Sequence, residues 1–258
     1  MRIVELILVI SMFNNILDGV IGDKEVQIQG EKFESTNAQR KLEEKTNYLT
    51  IILNQDYNFK INNKSIIEKV IINNGETENL EQEIKAKEGD EIQIHFNTPL
   101  NDCSKFFENI NEKIKNKIVS VDLSKFDSSN LEKFDEMFME CSSLKSINFL
   151  NFNTAKIKSF SRLFYGCSSL KEIDLSNFNT SSVTTMEYLF FECSSLEKVD
   201  LSNFNTSSST SMEYLFYGCL SLEKVDLSSF DTSNVKEMKS AFWGCSSLKE
   251  IDLSNFNV

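Results

Sequence analysis

The chain has 258 residues, 40% hydrophobic and 26% charged, a balance that argues against global disorder and allows one large domain or two modest ones. Its net charge of −12 comes without a basic cluster able to release counterions from a phosphate backbone, which argues against nucleic acid as a partner. The single histidine, His95, limits any mechanism that needs a histidine pair or triad.

Residues 1–22 read as a secretory signal: Arg2 gives a positive end, residues 6–13 an apolar run, and Val20-Ile21-Gly22 a small-residue cleavage site. The alternative is an ordinary apolar N-terminal strand or helix, and Glu5 beside the run favours it. The run is too short to span a bilayer as a helix, and nothing later reaches that length. Residues 23–46 are polar and charge-mixed, which suggests a flexible spacer. Residues 47–100 hold short β-branched segments separated by Asn73-Asn74-Gly75 and Glu88-Gly89-Asp90, which is turn chemistry. A small antiparallel β domain is expected there, leaning on the C-terminal remainder of the chain.

That remainder is a repeat. Val121-Asp122-Leu123, Ile147-Asn148-Phe149, Ile173-Asp174-Leu175, Val199-Asp200-Leu201, Val225-Asp226-Leu227 and Ile251-Asp252-Leu253 succeed one another at 26-residue steps without insertion. Cys141, Cys167, Cys193, Cys219 and Cys245 keep the same step. A fixed period in the twenties marks stacked repeats, here occupying 101–258. The first unit, 101–120, is a degenerate cap in which Cys103, Phe106, Phe107 and Ile110 imitate Met186, Leu189, Phe190 and Cys193. The last unit is incomplete, so an uncapped end and end-to-end self-association are expected there.

Within one unit, Ile173 and Leu175 alternate with Glu172, Asp174 and Ser176, which predicts a short strand buried on one face. Val183, Met186, Leu189, Phe190 and Cys193 then fall on one stripe of a helix, with Thr180 or Ser181 as its N-cap. The expected fold class is therefore α/β: a leucine-rich-repeat solenoid, its parallel sheet backed by helices, preceded by the small antiparallel β domain.

The unit I/V-D-L-S-x-F-D/N-T/S-S-x-V-x-x-M-x-x-L-F-x-G/E-C-S-S-L resembles that of the BspA-like leucine-rich-repeat surface proteins, over residues 103–258. The resemblance implies a secreted or cell-surface protein of the adhesion type, with no enzymatic activity and no catalytic residues to carry over. Phe178 and its equivalents depart from the commoner unit by standing where a ladder asparagine usually sits.

The cysteine column lacks the close pairs of a zinc site and reads as buried thiols or as paired disulfides. Asp122, Asp174, Asp200, Asp226 and Asp252 point outward from the strands, with Lys198 and Lys224 on the same face. They form either a self-compensated solvated face or an acidic strip for a basic partner or divalent cation. Met139, Tyr165, Phe191, Tyr217 and Trp243 form a further column, read as edge packing or as a stacking strip for sugars or a partner chain. Asn63, Asn179 and Asn205 head Asn-x-Ser/Thr triplets, glycan acceptors in a eukaryotic secretory pathway.

The expectation is a non-enzymatic recognition or adhesion protein, without cofactor or metal, binding a protein or glycoconjugate of a host or the extracellular matrix through its strand face. An intracellular leucine-rich-repeat scaffold or adapter is the alternative.

Overall fold

The computed structural model describes residues 47–73, 75–77 and 80–256. The expected signal at 1–22 and spacer at 23–46 lie outside them. Strands form first where β-branched residues alternate with polar ones: β1 (Tyr48–Leu53), β2 (Tyr57–Phe59), β3 (Ile67–Ile72), β4 (Gly75–Thr77), β5 (Ile84–Ala86) and β6 (Glu91–Phe96). In β1 and β6 every second residue is buried, and Leu49, Ile51, Ile92 and Ile94 have no exposed surface.

One α-helix, α1 (Phe106–Asn111), is present among the described residues, with a 3-10 turn at Lys115–Lys117 after it. The repeat strands are β7 (Ile118–Asp122), β8 (Ser146–Asn148), β9 (Glu172–Ile173), β10 (Lys198–Asp200) and β11 (Lys224–Asp226). A six-stranded mixed sheet runs in the order β4-β3-β6-β1-β7-β8. β1 pairs antiparallel with both β6 and β7, while β7 pairs parallel with β8, Val121 opposite Ile147. β9, β10 and β11 form a second, parallel sheet in which Ile173, Val199 and Val225 lie side by side. Successive copies therefore stack in register.

The expected fold class is corrected in two respects. The N-terminal strands are not a β domain set ahead of the repeats; β1, β3, β4 and β6 share a sheet with the first two repeat strands, while β2 and β5 pair with each other. The parallel strands also have no helical layer behind them, so this is not the leucine-rich-repeat solenoid anticipated. The segment read as a helix, with Val183, Met186, Leu189, Phe190 and Cys193 on its inner stripe, is a string of turns.

The backbone shows why. Tyr188 and Glu192 are left-handed, with φ of 58° and 55°, and Arg162, Tyr214 and Ser240 repeat the first of these positions. Two left-handed residues four apart break the helical path twice per coil. Alternate N–H groups then serve different partners. Leu189, Phe191 and Cys193 donate to carbonyls three residues back, those of Met186, Tyr188 and Phe190. Met186, Tyr188, Phe190 and Glu192 donate outward to Ser211, Glu213, Leu215 and Tyr217 of the next coil, at 2.7–3.1 Å. The preceding coil does the same from Phe160, Arg162, Phe164 and Gly166. In the first coil, Cys103 and Lys105 donate to the carbonyls of Lys133 and Asp135.

Apolar side chains fill the space between strand and turns. Phe138, Phe164, Phe190, Phe216 and Phe242 stack in a column at 5.2–5.7 Å between centroids. Phe149, which replaces the leucine of the other units, packs against Phe152 and Phe178, and the two repeat sheets part beside it.

Thr180 caps no helix. It sits in a buried column with Thr154 and Thr206, and its hydroxyl spans to the next coil. Thr180 Oγ1 donates to the Asn205 carbonyl (3.0 Å) and accepts the Asn205 N–H (2.8 Å); Thr206 makes the same pair with Asp231 (2.9 and 2.8 Å). Thr206→Val would remove the hydroxyl that serves both the N–H and the carbonyl of Asp231, at a cost of about 1–3 kcal/mol for the two bonds. Urea denaturation followed by circular dichroism should show that loss, with Thr206→Ser retaining most of the wild-type stability.

Candidate functional site

The outward face of the repeat strands is polar. Lys198 and Asp200 are exposed on either side of buried Val199, and Lys224 and Asp226 flank Val225 in the same way. Asp174 and Asp252 are exposed as well, whereas Asp122 is half-buried. The face thus brings the anticipated aspartates and lysines together. Parallel register puts Lys198 beside Lys224 and Glu172, and ion pairs Lys171–Glu197 (3.0 Å) and Glu223–Lys249 (3.1 Å) link successive coils.

Each aspartate also has a structural duty that spacing alone did not reveal. Oδ1 of Asp122, Asp174, Asp200, Asp226 and Asp252 accepts the N–H two residues on, from Ser124, Ser176, Ser202, Ser228 and Ser254, at 2.8–2.9 Å. This local turn ends the strand. Asn148 makes the same bond to Leu150 without a charge (3.0 Å). The D-L-S triplet carried the signal, since Asp bonding its own backbone two residues on is what turns the chain.

Hydrogen bonds from Ser202 hold the Asp200 carboxyl below its ordinary value, against the repulsion of Asp226 and Asp174. Hydrogen bonds from the following serine lower Asp174, Asp226 and Asp252 likewise. A carboxyl depressed in the folded state stabilises above its unfolded value, near 3.9, and that contribution is lost as pH falls through the native one. Melting temperature between about pH 5 and 2 should therefore fall less steeply in a D174N/D200N/D226N/D252N protein, which keeps the turns but has no carboxyls to protonate at these four positions.

Where β1 lies between β6 and β7, the outward face sinks into a hollow of about 320 Å³. Tyr48, Thr50 and Ile52 form its floor, Glu91 and Gln93 one side, and Ser120, Asp122, Ser124 and Lys125 the other. Of these only Asp122 was singled out from sequence. The hollow exists because three strands from distant parts of the chain align, and no local pattern announces that.

The cysteines are free thiols, and those from Cys103 to Cys219 are buried. Cys167, Cys193, Cys219 and Cys245 each donate to the carbonyl of a phenylalanine 29 residues earlier, at 3.0–3.2 Å. Burial raises every one of them, Cys245 only to about 11 because it is half-exposed. Maleimide should label Cys245 first in the native protein, and Cys141, Cys167 and Cys193 only after unfolding.

Tyr165, Phe191, Tyr217 and Trp243 stack face to face at 4.6–4.7 Å, and Tyr188 and Tyr214 form a parallel stack at 4.7 Å. The Arg162 guanidinium lies over Tyr188, 4.7 Å from its centroid. Inside these columns each ring face is occupied by the next ring or by a cation, so the rings offer a sugar mainly edges; Met139 precedes the stack in sequence register. Asn63, Asn179 and Asn205 each accept the hydroxyl hydrogen of the serine two residues on, at 2.7–2.9 Å.

Among the described residues no helix is long and apolar enough to cross a membrane, and no group of three metal-binding side chains occurs. The fold and its face are those of a repeat protein, and comparison with known families places it. The family described as Mycoplasma protein of unknown function, DUF285, matches residues 78–174 and 168–258. The chain belongs to that family. No curated protein and no solved structure matches it.

Proposed function

We propose that this protein is a non-enzymatic recognition protein of the adhesion type, secreted or held at the cell surface, that binds a macromolecular partner through the outward strand face. The observation that carries the reading is the carboxylate column: Asp174, Asp200, Asp226 and Asp252 stand exposed, one per coil, each held in place through Oδ1 by its own turn. Strand spacing repeats the charge at about 4.8 Å. A preorganised row of like charge loses little entropy on binding, and it favours a partner carrying a complementary basic stretch. The resemblance of the repeat unit to that of BspA-like surface proteins supports the same reading.

Surface plasmon resonance against a panel of immobilised extracellular-matrix proteins tests it. The D174N/D200N/D226N protein, with its turns intact, should bind its partner at least tenfold more weakly, and wild-type binding should weaken with salt. Binding that is equal in wild type and variant would assign recognition to another surface and overturn the proposal.

A further inference from the structure

The hollow between β6, β1 and β7 is built differently from the acidic column, and its chemistry points to a distinct ligand. Register lays it out as a grid. Thr50 lies between Gln93 and Asp122 in one row, Ile52 between Glu91 and Ser120 in the next, and Tyr48 pairs with His95 at the rim. Outward residues of one strand share a face, so these side chains line a common floor.

We infer that this hollow binds a saccharide, with a neutral or amino-bearing pyranose ring seated between Glu91 and Asp122. The inference rests on the strand face being the recognition surface, and it names the chemistry of one end of that face. Four properties support it.

The first is distance. Glu91 and Asp122 stand on the two strands that flank β1 and in adjacent rows of the grid, so two strand spacings and a two-residue offset put them about 12 Å apart at the backbone. A metal ion held at about 2.0–2.6 Å from each ligand does not bridge that gap readily, whereas a ring with hydroxyls on opposite edges does.

The second is hydrogen-bonding character. Thr50, Ser120 and Ser124 hydroxyls and the Gln93 amide all both donate and accept, as sugar hydroxyls do, and the carboxylates accept. Against two carboxylates Lys125 is the lone cation of the lining, so a phosphate, sulfate or sialic acid is repelled while an amine is favoured.

The third is preorganisation. Ser124 N–H holds Asp122 (2.8 Å), the Ser146 hydroxyl donates to Ser120 (3.2 Å), and Gln93 Oε1 lies 3.1 Å from His95 Nε2. His95 is itself stacked on Tyr48, with centroids 4.5 Å apart. Polar groups already fixed lose less on binding.

The fourth is the mixture of surfaces and the size. Tyr48 and Ile52 add an apolar patch for the C–H face of a sugar, and about 320 Å³ is the low end of small-ligand sites, enough for one or two rings.

The test is calorimetric titration of the full chain with three probes: N,N′-diacetylchitobiose, its de-N-acetylated diamine, and 3′-sialyllactose. Saturable binding of one or both chitobiose forms is expected, with none of sialyllactose. Thr50→Val, which keeps the shape of an outward strand residue, and Glu91→Gln, which keeps its length, should each weaken that binding about five- to tenfold. Glu132→Gln, outside the hollow, should leave it unchanged, and circular dichroism checks that the variants fold. No saturable binding of either chitobiose form, binding indifferent to both T50V and E91Q, or preferential binding of sialyllactose would each overturn the inference. A saccharide failure with matrix binding still lost in D174N/D200N/D226N would remove the sugar site and leave the acidic face standing. Sugar binding with matrix binding unaffected by that triple change would do the reverse.

Discussion

The structure depends on where the backbone N–H groups of the turn segments go. A helix would consume them internally, four residues apart. Here every second N–H leaves the coil and finds a carbonyl in the next one, as Met186, Tyr188, Phe190 and Glu192 do with Ser211, Glu213, Leu215 and Tyr217. A buried backbone donor must be paired, so no coil is complete until its neighbour is in place. The left-handed residues at Tyr188 and Glu192 accept local strain of about 1–2 kcal/mol each to aim those groups outward.

Once coils are tied this way, any residue type repeated at the 26-residue step becomes a column, and its chemistry is decided by its neighbours above and below. Threonines become cross-coil bridges, phenylalanines a stacked core, thiols donors to the carbonyls of an earlier coil. Aspartates become turn-formers that also stand as a row of exposed charge. The glycines at Gly166, Gly218 and Gly244 share a column with Glu140 and Glu192, all left-handed. At Gly218 an added Cβ would come within 3.3 Å of the Glu192 side chain, so close stacking and backbone conformation both favour glycine there.

The helix expectation failed for a specific reason. Val183, Met186, Leu189, Phe190, Cys193 and Leu196 are spaced mostly by three, which suits a helix face and equally a series of three-residue turns. Glycine recurring before cysteine was the available sign of a left-handed position inside the supposed helix. The threonine column was visible as a period, but a hydroxyl after Asn or Asp reads as a cap in any single unit, and only its partner a coil away shows otherwise.

Sequence by itself determined the 26-residue step, the inward placement of Val199 and its equivalents and the outward placement of Asp200. Strand alternation has a period of two, and burial of one face leaves no second solution. The tertiary structure alone decided that the layer behind the strands is made of turns, that β1, β3, β4 and β6 join the first two repeat strands in one sheet, and that a polar hollow opens over β1. Each of those depends on hydrogen bonds and side chains brought together from separate coils, and spacing along one chain carries no record of which carbonyl a given N–H will meet.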